Sequence, residues 1–171
     1  MTADRPLLFA CDAMLGYLAR WLRAAGYDTF WREGIDDSEL VRLAKHEDRF
    51  LLSSDTGIFQ YRVVRDGLLP ALHVPNGLGK REQLAFVLGR LKLSLRQPRC
   101  MACGGALAEV SREQVGDRVP PRSRAWLECF FECTRCGQLF WHGTHWQRIA
   151  ALLRQAADSA QAPEEGEAPL S

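Results

Sequence analysis

The sequence predicts an α/β fold with a central parallel sheet, followed by a small zinc-binding unit built on four cysteines. Two observations lead to this prediction. Short apolar runs alternate with segments in which apolar residues recur at helical spacing, which is typical of a parallel sheet with helices on both faces. Two Cys-x-x-Cys pairs, about 30 residues apart, then follow in the C-terminal half. A chain of 171 residues is long enough for one domain of ordinary size and a small module.

Residues 7–26 predict the first strand and the first helix. The apolar run 7–11 ends at Asp12, which is typical of a buried strand. Apolar residues then recur at the spacing of one helix face: Leu15, Leu18, Ala19 and Leu22. Gly26 ends this segment, so the helix is predicted to stop there. Cys11, at the end of the strand, is expected to be a small core residue.

The rest of the first domain continues the same alternation. Further strands are predicted over residues 27–31, 49–54 and 71–74. A helix capped by an aspartate or by Ser38 lies between the second and third strands, and another follows around residues 84–91. We therefore place an α/β domain over residues 5–93.

The C-terminal part divides into a zinc ribbon and a tail. The ribbon with a closing helix is placed over residues 98–156, and the helix itself is predicted over residues 144–157. Cys129 lies in an apolar, strand-like stretch and is expected to be buried. Residues 158–171 consist largely of Ala, Pro and Glu without periodicity, so we expect a disordered tail.

A structural Zn²⁺ site is predicted from four cysteines: Cys100, Cys103, Cys133 and Cys136. Thiolates at this spacing form a tetrahedral Cys₄ site, which suits Zn²⁺. Gly104 and Gly137 follow the two pairs and give the backbone freedom to turn around the ion. One pair could be a redox dithiol, but two pairs followed by glycine favour a ribbon. A Cys₂His₂ site with His142 and His145 is less favoured, because it would leave two cysteines without a metal.

Charge is distributed unevenly, although the formal net charge is only +1. Residues 1–60 carry 7 Lys and Arg against 10 Asp and Glu, whereas residues 61–148 carry 14 against 7. Carboxylates that hold metal, followed by cations that hold phosphates, suit a nucleic-acid hydrolase; ordinary solvated surface charge is the alternative. No apolar run is long enough to span a bilayer, and the N-terminus does not resemble a signal peptide. We expect a cytoplasmic protein with no membrane partner.

Several aspartates are candidates for a second, catalytic metal site. Asp12 and Asp55 directly follow apolar strands. Asp36 and Asp37 lie at a helix N-terminus and can add a third carboxylate, with Glu39 as a fourth. Because the carboxyl ends of parallel strands face one crevice, these side chains are expected to meet there and to bind Mg²⁺ or Mn²⁺. The alternative is that each aspartate only caps the helix that follows it.

Three residues are candidates for substrate binding: Arg20, Arg23 and His145. Both arginines lie on the helix face opposite the leucines, so their guanidiniums are expected to point outward beside the acidic edge and bind phosphate. A solvated face with local ion pairs is the alternative. His145 can contact phosphate or cap the next helix. Arginines interleaved with aromatic residues around the ribbon are typical of single-strand binding. We expect Trp126 to belong to the core, and a stacking or a core role stays open for Trp141 and Trp146.

Several segments follow one another in a specific order. They are Asp-Ala-Met-Leu-Gly-Tyr-Leu-Ala-Arg-Trp-Leu-Arg-Ala-Ala-Gly-Tyr-Asp at 12–28, Asp-Asp-Ser-Glu-Leu at 36–40, Arg-Phe-Leu-Leu-Ser-Ser-Asp at 49–55, the two cysteine pairs, Val-Pro-Pro at 119–121 and Trp-His-Gly-Thr-His-Trp at 141–146. Over about residues 7–150 the chain resembles the Mut-seven C-terminal RNase domain family, a PIN-like nuclease group with an appended zinc ribbon. The resemblance implies a PIN-like three-layer α/β/α fold and metal-dependent ribonuclease activity, with the acidic roles on Asp12, Asp37 and Asp55. Where the family often has Thr-Arg-Asp, this chain has Ser53-Ser54-Asp55.

We therefore expect a metal-dependent ribonuclease whose partner is RNA, in single-stranded form, with the ribbon aiding RNA binding. A non-catalytic RNA-binding module of the same fold is the alternative. A phospho-acceptor receiver domain is a third interpretation, because Asp12 and Asp55 stand near the positions that such domains use. It lacks the acidic pair after the first strand and a lysine after a late strand.

Overall fold

The computed structural model describes residues 7–161. Within this range the strands are β1 Phe9–Cys11, β2 Thr29–Phe30, β3 Phe50–Ser53, β4 Ala71–His73, β5 Leu107–Val110, β6 Phe130–Cys133 and β7 Leu139–Trp141. The helices are α1 Gly16–Ala24, α2 Asp37–His46, α3 Arg62–Arg65, α4 Lys80–Arg90, α5 Arg112–Val115, α6 Pro121–Trp126 and α7 Thr144–Gln161. Short 3₁₀ turns cover Ala13–Leu15, Thr56–Gln60 and Gly116–Arg118.

The first four strands form a parallel sheet in the order β2-β1-β3-β4. Successive residues of a strand point to opposite faces, so each strand contributes to two cores. Phe9 and Cys11 pack with α1, α4 and α7 on one face. Ala10 and Leu51 pack with α2 and α3 on the other. This arrangement confirms the predicted α/β fold with helices on both faces of a parallel sheet.

Helix α1 forms because its apolar residues fall on one face and are removed from water. Leu18 and Leu22 are fully buried, and burial of each such side chain stabilises the fold by about 1.5–3 kcal/mol. The helix stops at Gly26 as predicted, and this position requires glycine. Its φ is +98°, and an added Cβ would lie 2.7 Å from the backbone oxygen of Gln97.

The closing helix α7 is longer than the sequence predicts, and it packs on the first domain. Ile149, Leu153 and Ala156 are buried in the core that α1 and α4 share. Residues 158–161 continue this helix, which corrects the predicted start of the disordered tail. The remainder of that tail, 162–171, lies outside the described residues, as do residues 5–6 of the predicted first domain.

Strands β5, β6 and β7 form the antiparallel sheet of the ribbon. The segment with α5 and α6, inserted between the two cysteine pairs, covers part of this sheet, and its small core consists of Val115, Val119 and Phe130. Cys11 is buried as expected, but Cys129 is exposed because it precedes the strand rather than lying in it.

The tryptophans of the ribbon region differ in their surroundings. Trp126 is 87% exposed, so the expectation that it belongs to the core is wrong. It is the last residue of the short helix α6, and that helix buries none of its residues. Trp141 packs against the ribbon core, and Trp146 packs against the core of the first domain.

A membrane-spanning helix requires about 20 consecutive, predominantly apolar residues. None of the helices found between residues 7 and 161 is both long and apolar enough for this.

Candidate active site and metal centre

The four predicted cysteines come together at one end of the ribbon. Their sulfur atoms all lie within 4.8 Å of one another. The Cys100 and Cys136 sulfurs are 3.7 Å apart, and those of Cys103 and Cys133 are 3.4 Å apart. A tetrahedral Zn²⁺ site with Zn–S bonds near 2.3 Å requires sulfur separations of about 3.8 Å. The donor set and its dimensions therefore fit a metal such as zinc, and the cluster contains no histidine.

Backbone geometry around the two pairs supports the same function. Gly104 and Gly137 have φ values of +78° and +73°, as their predicted role in the turns requires. The amide N–H groups of Arg135 and Cys136 point at the Cys133 sulfur, with N···S distances of 3.4 and 3.5 Å. Such N–H groups stabilise a thiolate, which is the form that binds metal.

The thiols of the cluster differ in acidity. Burial opposes ionisation of Cys133, but the N–H groups of Cys136 and Arg135, with the neighbouring thiols, outweigh it and lower the pKa of Cys133 to about 6. At Cys100, burial raises the pKa to about 12. Because a metal binds all four as thiolates, its uptake releases protons, and its affinity falls as the pH falls.

The candidate acidic site lies at the carboxyl ends of β1 and β3. The strand order reverses between these neighbours, because β2 lies on one side of β1 and β3 on the other. Such switch points open a crevice in which parallel α/β sheets bind their ligands. Asp12 follows β1 and Asp55 follows β3, so the topology brings these two side chains to one edge as predicted.

Asp12 is 4% exposed and is held by several donors. Its Oδ1 accepts the backbone N–H groups of Met14 and Leu15, which makes Asp12 the cap of the turn that leads into α1. Its Oδ2 accepts the Ser53 hydroxyl and the Ser54 N–H, both at 2.7 Å. These hydrogen bonds hold the side chain in one orientation at the carboxyl end of β1.

Asp37 and Asp55 are more open. Asp55 caps the next 3₁₀ turn through one oxygen, which accepts the Gly57 N–H at 2.7 Å, and it is exposed. Asp37 is the first residue of α2, while its neighbour Asp36 caps that helix. Desolvation, and then the negative charges of Asp55, Asp12 and Asp36, raise the pKa of Asp37. This shift is the electrostatic sign that the carboxylates repel one another at this edge.

The acidic edge does not form a closed ligand cluster. Among residues 7–161, the four cysteines are the one group of three or more His, Cys, Asp or Glu side chains close enough to share an ion. Glu39, the fourth candidate carboxylate, forms an ion pair with Arg32. The Mg²⁺ or Mn²⁺ site at Asp12, Asp37 and Asp55 therefore stays a prediction.

Two buried serines at this edge were not predicted as partners of Asp12. Ser53 is fully buried and Ser54 is 4% exposed, and both donate to Asp12. At these two positions the chain has serine, where the family that it resembles often has threonine and arginine. The sequence does carry a signal for this role, namely two consecutive polar residues at the end of an apolar strand. Hydroxyl groups buried there need a hydrogen-bond partner.

Replacing Ser53 by alanine is expected to lower the free energy of unfolding by about 1–3 kcal/mol, because it removes a buried hydrogen bond to a carboxylate. Ser38→Ala is the matched control, since the Ser38 hydroxyl donates to the Asp36 carboxylate at 2.6 Å in an exposed setting. That control should change stability by less than about 0.5 kcal/mol. Urea unfolding monitored by circular dichroism measures both, and equal losses would contradict the structural role of Ser53.

Arg23 lies in a different place from the one predicted. It is 4% exposed. Its Nε donates to the Thr29 carbonyl at 2.9 Å, and its Nη1 donates to the carbonyls of Met101 and Ala102 at 3.1 and 2.8 Å. The sequence predicts that this guanidinium points outward, but the first cysteine turn packs on it and buries it. Arg23 therefore joins the ribbon to the first domain and is not available to phosphate, which corrects its assignment as a substrate-binding residue.

Arg20 and His145 are both exposed, and the structure brings them together. They line one cleft between α1 and the ribbon. None of the three aspartates lines this cleft, and the placement of Arg20 beside the acidic edge stays a prediction.

The sequence of this chain is similar to that of known proteins. A segment of 37 residues, 22% of the chain, is 46% identical to the Homo sapiens protein named exonuclease mut-7 homolog, and it covers 4% of that protein's length. No solved structure matches the chain. The family model described as the Mut7-C RNAse domain matches residues 7–153. Because it extends over the parallel sheet, the ribbon and most of the closing helix, the chain belongs to the Mut7-C RNAse domain family.

Proposed function

We propose that this protein is a metal-dependent ribonuclease that cleaves RNA phosphodiesters at the edge formed by Asp12, Asp37 and Asp55. The observation that carries the proposal is the position of Asp12 and Asp55 at the switch point of a parallel sheet. Desolvation, and then the charges of Asp55, Asp12 and Asp36, raise the pKa of Asp37, which supports it. Family membership supplies the substrate class.

The chemistry of the donor set fits a hard divalent cation. Mg²⁺ and Mn²⁺ prefer carboxylate oxygens, and a cation at this edge would relieve the repulsion that Asp37 experiences. When bound, such an ion polarises a phosphodiester and makes a water molecule more acidic. Asp37 and the unbonded oxygen of Asp55 would hold the ion, because neither is tied up by side-chain donors within residues 7–161.

Asp12 serves the site as its fixed component. Its four close donors hold the carboxylate in one orientation. It would complete the negative charge needed to bind a divalent ion, while Ser53 and Ser54 hold its orientation. Outer hydrogen-bond partners of this kind typically change metal affinity or activity by about 10- to 100-fold.

The zinc ribbon has a separate role in this proposal. Zn²⁺ on the four cysteines is structural, since four thiolates leave no open coordination position for a substrate. The ribbon aids RNA binding through its surface rather than through its metal.

The nuclease activity of Asp37→Asn tests the proposal. Asparagine keeps the shape of the side chain but removes the charge that a metal ion needs, so cleavage of a labelled single-stranded RNA should fall on the order of 100-fold or more. Asp36→Asn is the matched control. Asp36 is exposed and caps α2 through the Glu39 N–H, and asparagine caps a helix equally well. Its initial rate with Mg²⁺ or Mn²⁺ should stay near that of the unmodified protein.

Two outcomes would overturn the proposal. One is full activity in Asp37→Asn. The other is an unmodified protein that binds RNA but cleaves none with either metal, which would favour a non-catalytic RNA-binding module. That second function has an observation in its favour, namely that the three carboxylates do not close into a ligand cluster without an ion.

A further inference from the structure

A cleft of about 540 Å³ separates α1 from the ribbon and the beginning of α7. Its volume lies within the range of sites that bind small organic groups. The residues that matter here come from three elements: Arg20 from α1, Arg122 and Trp126 from α6, and His145 and Trp146 from α7. The cleft is distinct from the acidic edge, because none of the three catalytic candidates lines it.

The charge of this cleft has one sign. No aspartate or glutamate is among its lining residues, while Arg20 and Arg122 both are. Neither guanidinium forms an ion pair with any residue between 7 and 161, in contrast to Arg49, Arg99 and Arg118. Two unpaired cations beside a cleft that lacks carboxylates favour an anionic ligand.

The cleft also carries an exposed aromatic ring. Trp126 lines the cleft and is 87% exposed, and its helix, α6, has no buried residue. An indole left in water is unfavourable by the hydrophobic effect, so a surface tryptophan in a concave, cationic setting is a feature of binding sites. Aromatic rings beside arginines are what proteins use to hold single-stranded nucleic acid, because bases stack on the rings and phosphates pair with the cations.

We propose that this cleft binds an unpaired segment of the RNA substrate, with a base stacked on Trp126 and phosphates held by Arg20 and Arg122. This rests on the proposed function for the identity of the substrate. A 3₁₀ turn over Ala13–Leu15 joins Asp12 to α1, and Arg20 lies about one 5.4 Å turn beyond the first residue of that helix. In this proposal the strand continues from the cleft along α1 toward the acidic edge. A duplex fits poorly, because its bases are already stacked on one another.

Binding without cleavage tests this inference separately from catalysis. Fluorescence anisotropy of a labelled single-stranded oligonucleotide is measured in the Asp37→Asn background without divalent metal, and a duplex of the same sequence is measured beside it. Trp126→Ala should weaken single-strand binding by about 5- to 150-fold, the range found for loss of one stacked base. Arg20→Gln and Arg122→Gln should each reduce the slope of log K against log salt by about 0.7.

Matched controls use exposed residues outside the cleft. Arg154→Gln removes an exposed arginine of α7, and Leu68→Ala removes an apolar side chain that is 68% exposed. Both should bind the oligonucleotide as the parent does. All five substitutions are at exposed positions, and unchanged circular dichroism verifies that each variant folds.

The inference is overturned if Trp126→Ala binds the single strand as tightly as its parent does, or if the duplex binds equally well. Absence of single-strand binding in the parent would overturn it too. Each of these results leaves the nuclease assay at Asp37 to decide the proposed function independently. Conversely, a protein that binds the single strand through Trp126 but cleaves no RNA would support the binding role of the cleft. The same result would contradict the proposed nuclease activity.

Discussion

Replacing Cys133 by serine is expected to release the metal and to unfold the ribbon. Structural zinc contributes on the order of 10 kcal/mol to the folding of small zinc modules. The buried core of the ribbon, Val115, Val119 and Phe130, offers only about 1.5–3 kcal/mol for each side chain. Such a core cannot offset the entropy of ordering about 40 residues without the ion. Metal analysis should find well below one zinc per chain, and hydrogen exchange should show loss of protection in β5, β6 and β7.

Cys129→Ser is the matched control, because Cys129 is an exposed cysteine that does not belong to the cluster. This variant should keep one zinc per chain and the protection of the parent. A Cys133→Ser protein that retains stoichiometric zinc and a protected ribbon would contradict the Cys₄ site. The α/β domain, which has two cores of its own, should lose far less protection than the ribbon in either case.

The parallel sheet could be predicted because its signals are local. The apolar run before Asp12 and the leucine spacing after it define β1 and α1 without reference to the rest of the chain. Helix α3 and the turn before it escaped prediction, since four or five residues give too few repeats to show a period. Their buried residues Ile58 and Val64 nevertheless complete the second core.

The metal cysteines were predictable for the same reason, because the spacing within each pair already fixes the turn around an ion. Gly16 shows the opposite case. Nothing in the neighbouring residues shows why this position is glycine, but an added Cβ would lie 2.7 Å from the ring of Trp31. The surroundings of Ser53 and Trp126 likewise depend on the fold rather than on neighbouring residues. Ser53 donates to a carboxylate 41 positions away, and α6 leaves Trp126 exposed. A helical pattern shows which face is polar, but not what docks on that face.

Arg23 is one of the residues that attach the four-cysteine cluster to the first domain, together with Arg99, which pairs with Asp28. Burial lowers its pKa, and the charges of Cys11, Cys103, Cys100 and Asp28 oppose that effect. A zinc ion with four thiolates carries about two net negative charges, so a cation beside it is electrostatically favoured. The guanidinium also satisfies three carbonyls, two of which belong to the first cysteine turn.

Replacing Arg23 by methionine is therefore expected to lower the free energy of unfolding by about 3–5 kcal/mol, because it removes one buried and two part-buried hydrogen bonds to carbonyls, together with a buried cation beside an anionic cluster. The stability of Arg23→Lys should fall between that of the unmodified protein and that of Arg23→Met, because an ammonium keeps the charge but cannot reach all three carbonyls. Arg20→Met, one turn earlier on the exposed face of α1, should cost less than about 0.5 kcal/mol while weakening RNA binding. Urea unfolding with metal-release kinetics separates these effects. If Arg23→Met matches Arg20→Met in stability and releases zinc no faster, the buried guanidinium does not hold the ribbon in place. Arg23 would then again be a candidate for phosphate binding.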